Sequence, residues 1–177
     1  MTRNIFIIAV LIFLSSCSAS VGLNHAKYNP NQYKFTRITL IIAKDSLIGN
    51  FSTEIANYFQ TKLSKCGIET KVFTKDLTLK NFDSIQLNKV LKEFNPNGVF
   101  FISPKGMGTH YSFGGSNPTP VIYFPCQLHY RDDSGHYTLI FSVDMFLDPT
   151  KIENAWKDAS EKLYNSIKRY NEQFNCP

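Results

Sequence analysis

Residues 37–73, RITLIIAKDSLIGNFSTEIANYFQTKLSKCGIETKVF, hold the pattern that decides the architecture. Arg37 to Ala43 is a short, β-branched apolar run bounded by polar residues, which reads as a buried strand. After a polar turn at Lys44 to Gly49, Ile55, Phe59 and Leu63 recur every fourth residue with Ala56 beside them, so they line one face of a helix that Gly67 stops. Glu69 to Phe73 returns as a second strand. A strand-helix-strand unit of this length lays its two strands side by side in parallel, joined by a right-handed crossover.

Toward the C-terminus the same reading continues. Asp83 and Gln86 are spaced as a capping box and Phe82 and Leu87 as a hydrophobic staple, so a helix is expected over Asp83 to Phe94, with Leu87, Val90, Leu91 and Phe94 as its apolar stripe. Asn95-Pro96-Asn97-Gly98 ends it, and Val99 to Ile102 is a third apolar strand. Pro104 to Pro120 carries glycines, prolines and no period, and reads as a long loop. Two alternating strands then flank a turn at Arg131 to Gly135. Ile122, Phe124, Cys126, Leu128 and Tyr130 share a face of the first, and Leu139, Phe141, Val143, Met145 and Leu147 share a face of the second. Pro125 calls for an edge position or a bulge. After Asp148-Pro149 a short strand is expected at Ile152 to Trp156. Asp158 with Glu161 reads as another capping box, and Leu163, Ile167, Tyr170 and Phe174 as one face of a closing helix. The expected fold is α+β, an α/β sandwich: β-α-β-α-β, an antiparallel meander, and a C-terminal helix packed on one mixed sheet, all in a single domain over residues 35–177.

Toward the N-terminus the chain changes character. Arg3 precedes ten consecutive apolar residues, Ile5 to Leu14, and two serines lead into Cys17. That is the layout of a secretory signal, and its apolar run falls far short of the roughly 20 residues that span a bilayer. Leu14-Ser15-Ser16-Cys17 resembles the lipobox of bacterial lipoproteins. The resemblance implies that residues 1–17 are a signal segment and that Cys17 carries a diacylglycerol thioether and an acylated amine, enough acyl chains for stable anchoring. By the sorting habits of enterobacterial lipoproteins, Ser18 after the cysteine implies the outer membrane. Residues 18–22 lack an acidic surface-export cluster, which favours the periplasmic side. Residues 18–34 are polar and without period, so a flexible tether is expected there, with an r.m.s. span of roughly 20–25 Å.

Composition narrows the function. Residues 1–17 hold one of the chain's 19 basic residues, Arg3, and none of its 14 acidic ones, so the remainder carries +4 with histidines neutral. The basic residues are dispersed rather than blocked, which gives no nucleic-acid footprint, and the mildly basic balance permits contact with anionic lipid, glycan or an acidic partner. The lipobox resemblance implies the membrane as partner through its anchor, and with the tether and the lack of a catalytic motif makes another envelope protein the expected second partner. Beyond Cys17 there are three cysteines, Cys66, Cys126 and Cys176, in a compartment that permits disulfides. They can form one internal bridge; Cys126 reads as a small buried hydrophobe and the pairing is open.

The element order over roughly Phe35 to Phe174 resembles the α/β sandwich of the TolB N-terminal domain and of CsgG-like lipoproteins. Its most sequence-specific part is the strand Val143 to Leu147, Asp148 at a turn, Ala155-Trp156 and an amphipathic helix. That resemblance implies an assembly, secretion or activator module, with a ring or pore subunit as one form of it.

No catalytic signature stands out, so an enzyme is not expected, and no cofactor is called for. Lys105-Gly106-Met107-Gly108-Thr109 lacks the spacing of a phosphate loop, since Tyr111 stands where G-x-G-x-x-G needs glycine. The loop residues Lys105, Gly106, Gly108, His110, Tyr111, Phe113, Gly114 and Gly115 are instead the candidate partner-binding surface, because aromatics in a loop make good anchors. The alternative is a ligand-binding or hydrolytic domain acting on cell-wall or outer-membrane material, with His110 as base and Ser112 or Ser116 as nucleophile. It lacks an ordered acid partner or a nucleophile elbow. His129 and His136 flank the hairpin turn with Asp132 and Asp133 nearby, a weak candidate for zinc or copper in which no third strong ligand is fixed by spacing.

Overall fold

A computed structural model of the chain describes residues 21–28, 33–44, 50–76, 84–110 and 119–176. Among them a mixed sheet of seven strands carries three α-helices, an α+β fold. The strands are β1 (Val21–Tyr28), β2 (Arg37–Lys44), β3 (Glu69–Asp76), β4 (Gly98–Ile102), β5 (Gly106–His110), β6 (Thr119–Arg131) and β7 (Tyr137–Leu147). The helices are α1 (Phe51–Lys65), α2 (Ser84–Phe94) and α3 (Ile152–Lys168).

The expected parallel core is present. β2 pairs in parallel with β3 on one side, Arg37 to Lys44 against Glu69 to Asp76, and with β4 on the other. β4 then pairs antiparallel with β6, which forms the hairpin with β7. Ile38, Leu40, Ile42, Phe100, Phe124, Leu128, Val143 and Met145 point to one face and meet Ile55, Phe59 and Leu63 of α1 and Ala159, Leu163 and Ile167 of α3 in the main core. Among the described residues the other face is covered on one side only, where Ile41 and Val99 pack with Leu87 of α2 and with Phe73, Leu91 and Phe101. α1 ends as expected: Gly67 has φ +71°, and Cys66, Gly67 and Ile68 return their N–H groups to Leu63 and Ser64 carbonyls. The capping box and staple of α2 rest on Phe82 and Asp83, which lie outside the described residues.

Four expectations are corrected. The tether over 18–34 is not a tether throughout, because Val21–Tyr28 adds as β1 to the free edge of β7, with Val21 opposite Leu147. An edge strand is held by main-chain hydrogen bonds, so it needs no apolar period. Lys105 to His110 are not all loop: β5 pairs with the start of β6, His110 opposite Thr119. Ile152 to Trp156 is helix rather than strand, and the capping-box pair Asp158 and Glu161 sits in its interior. Upstream, Asp148 caps the short 3-10 turn Pro149–Lys151 that leads into the helix, its carboxylate accepting from the Thr150 N–H at 2.9 Å and the Thr150 hydroxyl at 2.6 Å. Finally, Leu139 does not share the inner face. Leu128 pairs with Phe141 but His129 with Leu139, so Ile140 is an extra residue at a bulge; it is buried and Leu139 is 41% exposed.

The C-terminal tail closes the opposite end of the core. Cys66 at the end of α1 and Cys176 form a disulfide, their Cα atoms 5.1 Å apart, while Cys126 is free and buried. Phe174, 1% exposed, packs beside Phe35 with ring centroids 5.6 Å apart, and the Tyr164 hydroxyl donates to its carbonyl at 3.1 Å. The Gln173 amide pairs with both the N–H and the carbonyl of Phe35. Asn97 acts similarly between α2 and β4: its oxygen accepts from Thr36 N–H at 3.0 Å and Arg37 N–H at 3.1 Å, and its amide donates to the Lys34 carbonyl at 2.8 Å.

Candidate functional site

The half of the outer sheet face that α2 does not cover holds a groove of about 420 Å³, lined by Lys105, Gly106, Met107, Gly108, Tyr123, Pro125 and Asp144. Strand irregularity makes it. From Ile102 opposite Cys126 to Gly106 opposite Tyr123, the β4-β5 chain spends one residue more than β6, a bulge. Pro125, which has no N–H to donate, stands across from that bulge, meeting the expectation drawn from it. Gly106 has φ +136°, a conformation that other residues rarely adopt. Gly108 leaves room for Tyr123: a Cβ there would lie 2.5 Å from the Tyr123 Cε2. The Tyr123 hydroxyl donates to the Thr109 carbonyl at 3.3 Å, and Tyr123 faces Phe146 across the β6-β7 pair.

Of the candidate partner-binding residues, Lys105, Gly106 and Gly108 line this groove. His110 is the last residue of β5, and Tyr111, Phe113, Gly114 and Gly115 lie outside the described residues, as do Ser112, Ser116 and Cys17. Tyr123, Pro125 and Asp144 were not singled out as site residues. Pro125 was the available signal, since a proline in an otherwise regular strand marks a distortion, and distortions open surfaces. The groove gathers one ammonium, one carboxylate and one phenol. That set suits recognition of a polar or zwitterionic partner.

The hairpin histidines are not brought together. His136 lies in the turn, where its N–H donates to an Asp132 carboxylate oxygen at 3.0 Å and its Nδ1 lies 2.8 Å from the Ser134 hydroxyl. His129 lies on β6 opposite Leu139, edge-on to Phe101 with centroids 5.5 Å apart. The register keeps the two apart: His129 pairs with Leu139, while the turn sets His136 across from Asp132, whose N–H donates to the His136 carbonyl. Among the described residues, no group of three His, Cys, Asp or Glu side chains could hold a metal ion. Burial pushes the His129 pKa below its ordinary value, while hydrogen bonds from Ser134 and from the His136 backbone hold Asp132 below the usual carboxylate range. Asp148 is lowered in the same way by Thr150. Burial, with Asp144 nearby, pushes the Cys126 thiol upward and so keeps it a neutral, inert core group.

No family model matches the chain, and no curated protein matches it. Solved structures with a similar chain path include the PelC dodecamer from Paraburkholderia phytofirmans (TM-score 0.47, 10% identity, covering 83% of this chain and 96% of that one). Lipoprotein GNA1162 from Neisseria meningitidis is another (TM-score 0.37, 14% identity, 75% and 98% covered). A minor lipoprotein from Acinetobacter baumannii is a third (TM-score 0.27, 8% identity, 77% and 96% covered). Bacterial lipoproteins are thus among the chains this one resembles.

Proposed function

We propose that this chain is an outer-membrane lipoprotein, acylated at Cys17 and facing the periplasm, whose α+β domain binds another envelope component and is not an enzyme. The observation that carries the reading is the basic start, apolar run and Leu14-Ser15-Ser16-Cys17 ending, which specify export and acylation together. Within it, the groove beside β5 is the contact surface. The resemblance to TolB N-terminal and CsgG-like modules supports an assembly role.

The test is intact mass and membrane fractionation of the native protein beside Cys17→Ala. Acyl mass on the native form and release of the variant from the membrane are expected. An unacylated, soluble native protein defeats the anchoring. A pull-down from detergent-solubilised envelope then tests the groove, where Gly108→Val and Asp144→Lys together are expected to lose the partner. The groove's volume, within the range of ligand sites, favours a second reading in which it takes a small ligand from the cell wall or outer membrane. Cell-wall fragments that fail to raise the melting temperature would dispose of it.

A further inference from the structure

β1 fixes how a lipid on Cys17 can present the domain. Val21 is 3% exposed, pairs with Leu147, and its carbonyl accepts a hydrogen bond from Lys162 Nζ at 2.9 Å, which is also held by Asp158 at 2.9 Å. Val21 is four residues on from Cys17, and even fully extended those four steps reach only about 14 Å. We propose that the end of the sheet where β1 begins rests on the bilayer, with Met107, Lys105 and Lys151 in the headgroup region of a membrane containing anionic phospholipid. The inference rests on acylation of Cys17.

Register supplies the surface. Val21, Leu147, Ile122 and Met107 form one row across four strands, β1, β7, β6 and β5, so Met107 stands level with Val21. Met107 is 61% exposed, an apolar side chain at the level of the anchor. Lys105 lies just inward of Met107, since β5 continues outward to His110 opposite Thr119, and Lys151, whose Nζ is 4.0 Å from the Asp148 carboxylate, follows Leu147 by four. Exposed apolar residues also occur at the far end, Tyr137 at 39% and Leu139 at 41%. From Leu147 to Tyr137 is ten residues of β7, about 34 Å at strand rise, more than twice the reach of the anchor segment. Lying flat on its uncovered face would bring the hairpin closer, but it would press the Asp144 carboxylate onto anionic headgroups. An upright posture avoids that repulsion and places the groove at the membrane-proximal end.

The test uses full-length, acylated protein in vesicles of phosphatidylethanolamine and phosphatidylglycerol doped with a headgroup nitroxide lipid. Met107→Cys, Leu139→Cys and Ser134→Cys variants carry bimane. The native thiols are acylated, bridged or buried and do not compete. Intact mass first confirms the acyl group; its absence overturns the lipidation reading and the inference with it. In acylated protein, loss of bimane emission at position 107 and none at positions 134 and 139 is expected. Equal loss at all three, or loss at 134 and 139 alone, overturns the upright posture and leaves the anchor standing.

Discussion

Breaking the Cys66–Cys176 disulfide is the sharpest test of how the tail holds the core. The bridge spans 110 residues of sequence. In the chain-entropy model, removing a loop closure of that length costs about 5 kcal/mol at 25 °C, and loss of native bridges generally costs about 2–5 kcal/mol. The lower part of that range applies if the tail stays docked without its bond. The contacts that could keep it docked are specific: Phe174 beneath Phe35, the Gln173 amide on the Phe35 backbone, and the Tyr164 hydroxyl on the Phe174 carbonyl. For a domain of this size each kcal/mol moves Tm by about 2–4 °C, so a fall of roughly 5–20 °C is expected. The assay is thermal unfolding by circular dichroism, with and without reductant, beside a Cys66→Ala/Cys176→Ala variant. The two perturbations should agree, and reductant should do nothing further to the variant. A fall of less than about 2 °C, or thiol titration of the denatured, unreduced protein that finds all of Cys66, Cys126 and Cys176 free, would refute the reasoning.

Three further outcomes are expected. Asn97→Ala deletes three side-chain hydrogen bonds to the backbone of residues 34–37 and should cost about 2 kcal/mol in urea unfolding, whereas a surface substitution such as Lys92→Ala should cost almost nothing. Gly98→Ala puts a Cβ 2.6 Å from Phe35 Cδ1 and 2.9 Å from Ile38 Cγ1 in the core, so overpacking of about 1–3 kcal/mol should appear in the same assay. Burial lowers the His129 pKa, so the unfolded chain binds the proton more readily; stability is full above the ordinary value near 6.5 and declines as pH falls below it. Asp132 and Asp148, held low, lose their contribution only in more acid solution. His129→Gln should therefore lessen the drop in Tm between about pH 7.5 and pH 5.5, and an unchanged drop would contradict the burial account.

The parallel core was legible because its signals are local and redundant. Arg37 to Ala43 is apolar enough to be buried on both faces, Ile55, Phe59 and Leu63 fix one helix face, and Gly67 ends it; each agrees with the others. What the sequence hid depended on register. Ile122 to Leu128 and Phe141 to Leu147 alternate as read, but one extra residue at Ile140 turned Leu139 outward, and the hairpin register set His136 across from Asp132 rather than His129. No composition rule announces a bulge of that kind. The start of α3 was misplaced for a different reason: Ile152 to Trp156 is short and ambiguous by period, and Asp158 with Glu161 mimics a cap. The decisive group was Asp148, four residues ahead of the helix, whose carboxylate engages Thr150.

The groove was half legible for the same physical reason. Glycines at 106 and 108 read as turn chemistry, which explains glycine wherever the backbone is irregular. In the folded chain they lie in a strand, and Gly108 makes room for the ring of Tyr123, a contact created by pairing across 15 residues of sequence. Gly22 does the same for Phe146 at the far side of the sheet, so the uncovered face is built from aromatic rings laid over glycines of the neighbouring strand. A face made this way is held by the outer strands as much as by the hairpin beneath it. β1 therefore has two consequences at once. It completes the surface next to the groove, and it takes into the sheet eight residues that the sequence reads as tether. Losing the Lys162 contact to Val21 should therefore loosen the start of β1 and, through Gly22, the backing of Phe146.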